Sequence, residues 1–137
     1  MTKTAIFCLL ILFTGCMKIE TRNAAKAYEY WAGEKPPKNI RLINGEYYRS
    51  PHFTLEYELF LKFKSDKKWF SDFVQYNGLV IDTKKGDWAR WNKLPDWFTP
   101  DSNSLIYAKD PTNEFETSRY FINRKTGTCY IYETVGM

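Results

Sequence analysis

The sequence contains one histidine, His52, and only three cysteines among 137 residues. Zinc sites draw on clustered Cys and His, so a zinc centre of the usual composition is not expected. The seven glycines are scattered and none builds a phosphate-cradling loop, so no nucleotide or other cofactor is expected. The longest apolar run, Ala5 to Phe13, has nine residues, whereas a membrane-spanning helix needs about 20. A formal charge of +4, evenly spread, leaves no basic stripe of the kind that binds nucleic acid. No Gly-x-Ser-x-Gly elbow, internal repeat or low-complexity tract is present. What the chain has in excess is aromatic rings: 18% of residues, with five Trp, ten Tyr and ten Phe. With 44% hydrophobic and 26% charged residues it can build one packed domain, and it has no length for a second.

The N-terminus has the order of a signal peptide. Met1-Thr2-Lys3-Thr4 carries one positive charge and no acid, the nine apolar residues follow, and Thr14 and Gly15 precede Cys16. The string Leu12-Phe13-Thr14-Gly15-Cys16 resembles the lipobox of bacterial lipoproteins, with Phe13 where leucine is commonest. The resemblance implies that residues 1–15 are removed and that Cys16 receives a thioether-linked diacylglycerol. An acyl chain such as palmitate on the new amino group would follow, with 16–23 as a lipidated tether. It further implies a bacterial cell-envelope protein held on the membrane through Cys16. With Met17 and not Asp after the cysteine, the expected site is the outer membrane, facing the periplasm. Cys8 would then be discarded and Cys16 alkylated. Cys129 is left alone, so no intrachain disulfide is expected even in an oxidising compartment. Its apolar, β-branched surroundings (Thr128-Cys129-Tyr130-Ile131) read as those of a buried, inert thiol.

Residues 24–137 read as a single domain. Ala24, Ala27, Tyr28 and Trp31 share one helix face, with Asn23 as its cap and Gly33 and Pro36-Pro37 as its stop. Two short β runs on either side of Asn44-Gly45 predict a hairpin with a type I′ turn. From Leu55 the alternation of Leu55, Tyr57, Leu59, Leu61 and Phe63 with Glu56, Glu58, Lys62 and Lys64 predicts a half-buried strand, and only Phe60 breaks its polar face. Ser65 or Asp66 caps a helix from Lys67 to Tyr76, whose apolar face is Trp69, Phe70, Phe73 and Val74. Asn77-Gly78-Leu79 ends it through a left-handed glycine. A strand at 104–108 and a closing hairpin, 118–124 with 128–134, complete the order. The fold class expected is α+β: an antiparallel sheet with helices packed on one face.

Between these elements lies Trp88-Ala-Arg-Trp91-Asn-Lys-Leu-Pro95-Asp96-Trp97-Phe98-Thr-Pro100, three of the five tryptophans within ten residues and no periodicity. Trp88, Trp91, Trp97 and Phe98 form a candidate binding surface for a glycan or a protein partner, with Arg90 and Lys93 at its rim. The same residues suit a loop folded over the sheet as a lid with a minor exposed surface, which is the reading preferred here. Together with the strand–helix–Asn-Gly-Leu pattern before it, the Pro-x-Trp-Phe-x-Pro stretch makes residues 38–134 similar to small uncharacterised bacterial lipoproteins that close on a Tyr-rich hairpin. Asp87, Asp96 and Asp101 bracket the loop, as carboxylates do in sugar sites. His52 with Glu56 and Glu58 has no recognised ligand spacing, so no metal is expected. No catalytic set emerges. The expectation is a lipid-anchored, periplasm-facing protein acting by binding, in one version as an immunity-type lipoprotein that neutralises an envelope toxin. The alternative is an envelope enzyme or glycan-binding protein using the Trp88–Pro100 loop.

Overall fold

The alternating segment around Leu59 forms the spine of the molecule. In the computed structural model, which describes residues 17–84, 88 and 93–136, it is strand β3 (Tyr57–Ser65). β3 pairs with β2 (Ile40–Arg49) on one side and β7 (Thr128–Val135) on the other. β1 (Ile19–Thr21) lies beyond β2, while β6 (Arg119–Ile122), β5 (Leu105–Ala108) and β4 (Val80–Ile81) lie in turn beyond β7. The sheet order is β1-β2-β3-β7-β6-β5-β4, and every neighbouring pair is antiparallel.

Two helices accompany the sheet, and local chemistry fixes the ends of both. In α1 (Ala24–Ala32) the Asn23 side chain accepts the Lys26 N–H at 3.0 Å, and Gly33 closes the last turn at φ +76°. In α2 (Lys67–Tyr76) Asp66 Oδ1 accepts the Trp69 N–H at 2.7 Å. The end of α2 is a Schellman motif: Leu79 N–H donates to the Val74 carbonyl at 3.0 Å and Gly78 N–H to Gln75 at 3.2 Å. Gly78 has φ +62°, as its place after Asn77 predicts.

The expected α+β class is overturned. The molecule is dominated by one seven-stranded antiparallel sheet, its helices are only nine and ten residues long, and the arrangement is nearer to a β-sandwich. The physical reason is that each face of the sheet carries a buried apolar cluster. On one face Leu59, Leu61 and Phe63 of β3 pack with Ile131, Cys129, Tyr120 and Ile122, and α1 and α2 add Ala27, Tyr28 and Phe70. On the other face Phe60, Phe121, Tyr130 and Tyr132 form a second cluster around Phe98. Phe60, the one break in the polar face of β3, is the residue that required it. A fully buried Phe contributes about 1.5–3 kcal/mol, so neither cluster is incidental.

Three further expectations change. Asn44-Gly45 is not a turn: Ile40–Arg49 is one continuous strand with a register shift between Leu42 and Asn44. Gly45 is there because α1 crosses it closely. A Cβ on Gly45 would lie 2.9 Å from Ala24 Cα and from Leu61 Cδ2, and 3.1 Å from Ala27 Cβ. Ile19–Thr21, read as part of a polar tether, pair with Arg49, Tyr48 and Tyr47 as an edge strand. Leu55, expected on the apolar face of β3, precedes the strand and is exposed.

Candidate functional site

The Trp-rich segment lies on the second face of the sheet. Phe98 is 3% exposed and sits among Phe60, Phe121 and Tyr130, with ring centroids at 5.4, 6.1 and 5.3 Å. Trp88 packs against Phe121, Tyr132 and Phe98 at 5.1, 5.7 and 6.0 Å and is half-buried. Trp97 is half-buried too, its ring 5.9 Å from that of Phe98. The segment turns through its own backbone, Phe98 N–H donating to the Pro95 carbonyl at 2.9 Å. Phe98 is therefore a core residue, which corrects its assignment to a binding surface. Trp88 and Trp97 are only partly exposed. Trp91 lies outside the described residues, as do Asp87 and Arg90; Lys93 and Asp96 are exposed.

Where this segment rejoins the sheet it borders two shallow grooves that meet at Asp101 and Ser104. One, of about 270 Å³, is lined by Trp88, Pro100, Ser102, Ile106 and Phe121 besides those two. The other, of about 390 Å³, carries Lys62, Lys64, Asn123, Thr126 and Thr128 along its sides. Asp101 is held in place: its Oδ1 accepts the Asn103 N–H at 2.8 Å and its Oδ2 the Asn123 Nδ2 at 3.3 Å. Lys62 Nζ lies 5.4 Å above the Tyr130 ring. The two grooves together carry hydroxyl, amide, carboxylate and ammonium groups, with Trp88 among the lining residues, a set that suits a polyhydroxylated ligand. Of the acids that bracket the loop in sequence and are described, Asp101 lines both grooves and Asp96 is exposed.

On the other face a cleft of about 310 Å³ opens between α2 and the tips of β5 and β6, with Phe70, Val74, Tyr107 and Ile122 as its floor and Lys67 and Arg124 at its mouth. Deeper in that face, Glu133 accepts hydrogen bonds from Trp31 Nε1 at 3.0 Å, from Tyr120 Oη at 2.5 Å, and from the Tyr57 hydroxyl. Burial first, and then Glu133 itself, hold both tyrosine hydroxyls well above the ordinary phenol range, so they remain donors. The cluster ties α1, β3 and β6 to β7. Sequence reasoning missed it, because four residues from four elements share no spacing. It also missed the buried pair in which Arg119 Nε donates to Asp82 Oδ2 at 3.0 Å, while Arg119 Nη1 donates to the Glu116 and Ser118 carbonyls at 2.7 and 2.8 Å. That pair fixes the point where the chain leaves β4.

The remaining groups weighed in the sequence, His52 and Cys129, each have partners or burial of their own. His52 Nδ1 lies 2.9 Å from Glu56 Oε2, which also accepts from Ser50 Oγ at 3.0 Å. These bonds, His52 first, hold the Glu56 carboxyl below its ordinary range. Cys129 is fully buried, and burial pushes its thiol up to about 12, the opposite of activation. Among the described residues no three of His, Cys, Asp and Glu come together as a metal site, and no helix is long and apolar enough to cross a membrane. Cys16, the expected lipidation site, lies outside the described residues. Compared with known proteins, the chain matches no family model, no curated protein and no solved structure.

Proposed function

We propose that this protein is a lipid-anchored component of a bacterial cell envelope, facing the periplasm, and that it acts by binding. The observation that carries the reading is the ordered run from Lys3 through the nine apolar residues to Leu12-Phe13-Thr14-Gly15-Cys16. Each acyl CH₂ buried in a bilayer contributes about 0.8 kcal/mol, so the two or three chains on such a cysteine retain a protein almost indefinitely. The engaged His52 and the buried, unactivated Cys129 support binding over nucleophilic chemistry. Among binding roles we favour neutralisation of an envelope toxin, which suits a small anchored domain. A toxin gene directly upstream supports that version, and a glycan-processing neighbourhood argues against it.

The anchor is tested by metabolic labelling with a palmitate analogue. The unaltered protein is expected to take the label, and Cys16→Ala to lose it and accumulate as precursor. Label surviving on Cys16→Ala sinks the assignment. Sucrose-gradient fractionation tests the membrane: recovery in the outer membrane is expected from Met17, and recovery only in the inner membrane refutes it.

The grooves at Asp101 favour a second reading, recognition of envelope glycan. Titration of the domain with soluble peptidoglycan fragments is then expected to give saturable binding that Asp101→Ala weakens about tenfold or more, as loss of a charge-assisted hydrogen bond does. Binding indifferent to Asp101→Ala removes this reading.

A further inference from the structure

The strand register gathers four chain segments at one end of the sheet. Ile19 pairs with Arg49, Arg49 with Tyr57, and Tyr57 with Val135, so the start of β1, the β2–β3 loop and the end of β7 lie in one row. The β5–β6 loop joins them, because Ser118 Oγ donates to the Thr134 carbonyl at 3.3 Å and Thr117 Oγ1 lies 2.6 Å from Thr134 Oγ1. At this end Phe53 is 93% and Phe115 85% exposed, and Met17, Leu55 and Val135 are exposed beside them. A single exposed apolar side chain is ordinary, but five from four segments at one end of a sheet point to an interaction surface.

The two phenylalanines are presented by built turns. Asn113 Oδ1 accepts the Phe115 N–H at 3.0 Å, and Asp110 Oδ1 accepts both the N–H and the hydroxyl of Thr112 at 3.1 and 2.6 Å. Phe53 stands at the tip of a loop whose base is gathered on Glu56 by Ser50, His52 and Thr54. The charge of these segments is mixed: Lys18, Arg49, His52 and Lys109 against Glu20, Glu56, Asp110, Glu114 and Glu116, with Lys18–Glu20 and His52–Glu56 paired. A strongly charged partner has little to recognise in it.

Position along the chain supplies the occupant. Met17 is bonded to Cys16, and Ile19 is already in the sheet. Three residues span at most about 11 Å, so a lipid on Cys16 holds this end of the sheet against the bilayer. The cleft beside α2 and the larger Asp101 groove open at the opposite end, among Ser65, Arg124, Thr126 and Gly127.

We propose that this end is a membrane-contact surface, with Phe53 and Phe115 set into the headgroup–acyl boundary of the same bilayer that carries the lipid on Cys16. The contact is apolar, independent of anionic lipid, and turns both clefts toward the aqueous side. The inference rests on the lipid-anchor reading, and its test does not depend on lipidation by the cell. The described fold lies within residues 17–136, so the chain from Cys16 onward is coupled through the Cys16 thiol to a maleimide phospholipid. The vesicles are of phosphatidylcholine and phosphatidylethanolamine. Cys129, being fully buried, is spared.

Hydrogen exchange is compared between coupled and free protein. Amides of 52–56 and 112–118 are expected to exchange about tenfold more slowly on the vesicle, with the turn at 124–127 unchanged. A Phe53→Ser/Phe115→Ser variant is expected to melt as the parent does and to lose the protection. Equal exchange in both forms, protection that survives in the double variant, or protection that requires phosphatidylglycerol overturns the proposal. Loss of the anchor reading shows instead as failed palmitate labelling, with the vesicle protection intact.

Discussion

The two faces of this sheet are closed by opposite means. On one face α1 and α2, each fixed by a cap at its start and a left-handed glycine at its end, lay side chains from a regular period onto Leu59, Leu61 and Phe63. On the other the described residues 93–104, without helix or strand, drop Phe98 between Phe60, Phe121 and Tyr130, where Trp88 and Trp97 brace it. The faces treat acids differently as well. Glu133 on the helix side accepts from Trp31, Tyr57 and Tyr120. On the loop side Glu58 is half-buried near Glu46, and burial first, then Glu46, holds its carboxyl above the ordinary range. An irregular segment can seal a sheet as well as a helix can when its rings are large enough. It leaves the margin of that face less well satisfied.

The sharpest way to break this comparison is to empty each face in turn. Phe98→Ala and Phe70→Ala are each expected to cost about 3–5 kcal/mol in urea unfolding, a large part of the roughly 5–15 kcal/mol available to a small domain. A Phe98→Ala variant within about 1 kcal/mol of the parent would show that the loop face is not a core. Overfilling the helix face comes next. Gly45→Val drives methyl groups into the Ala24 backbone and the Leu61 side chain and is expected to cost about 1–3 kcal/mol, with loss of helical circular dichroism as α1 lifts. Unchanged helicity and stability would mean that α1 does not rest on β2.

The smallest effect sharpens the contrast in charge. Because folding raises the Glu58 pKa, the folded state holds that proton more tightly than the unfolded chain does. The stability it contributes is complete below the unfolded pKa and is lost as pH rises through the folded one. Glu58→Gln is therefore expected to raise the melting temperature modestly at neutral pH and to leave it unchanged near about pH 3, where the carboxyl is protonated in both states. A shift of equal size at both pH values would assign the effect to packing.

Elements whose cause is local were legible in the sequence. Asn23, Asp66 and the triplet Asn77-Gly78-Leu79 announce the helix ends because capping acts within four residues. The alternation of β3 and the hairpin of β6 and β7 are likewise written within single segments. What misled was distance. Asn44-Gly45 has turn chemistry, yet Gly45 answers to a helix some twenty positions earlier in the chain. β4 has two residues, too few for any period, and β1 is recognisable only from its partner. Within the candidate site, the tryptophan cluster was visible; Trp88, Trp97 and Phe98 pack on the sheet, while Trp91 lies outside the described residues. Phe98 as a surface residue was the error, and Phe60, out of place on a polar face, was the clue to it.

The lengths of the strands carry one more consequence. The interior strands β2, β3 and β7 have ten, nine and eight residues, while the two at the edges, β1 and β4, have three and two. A long bare edge is a template on which further chains can stack into fibres. Here the outermost strands are short on both sides: at one border the Lys18–Glu20 ion pair flanks β1, which covers only Tyr47 to Arg49 of β2, and at the other the buried Asp82–Arg119 pair stands where the chain leaves β4 after two residues. Where β1 and β4 form the border, an edge-to-edge encounter with another chain finds only three or two residues to pair with.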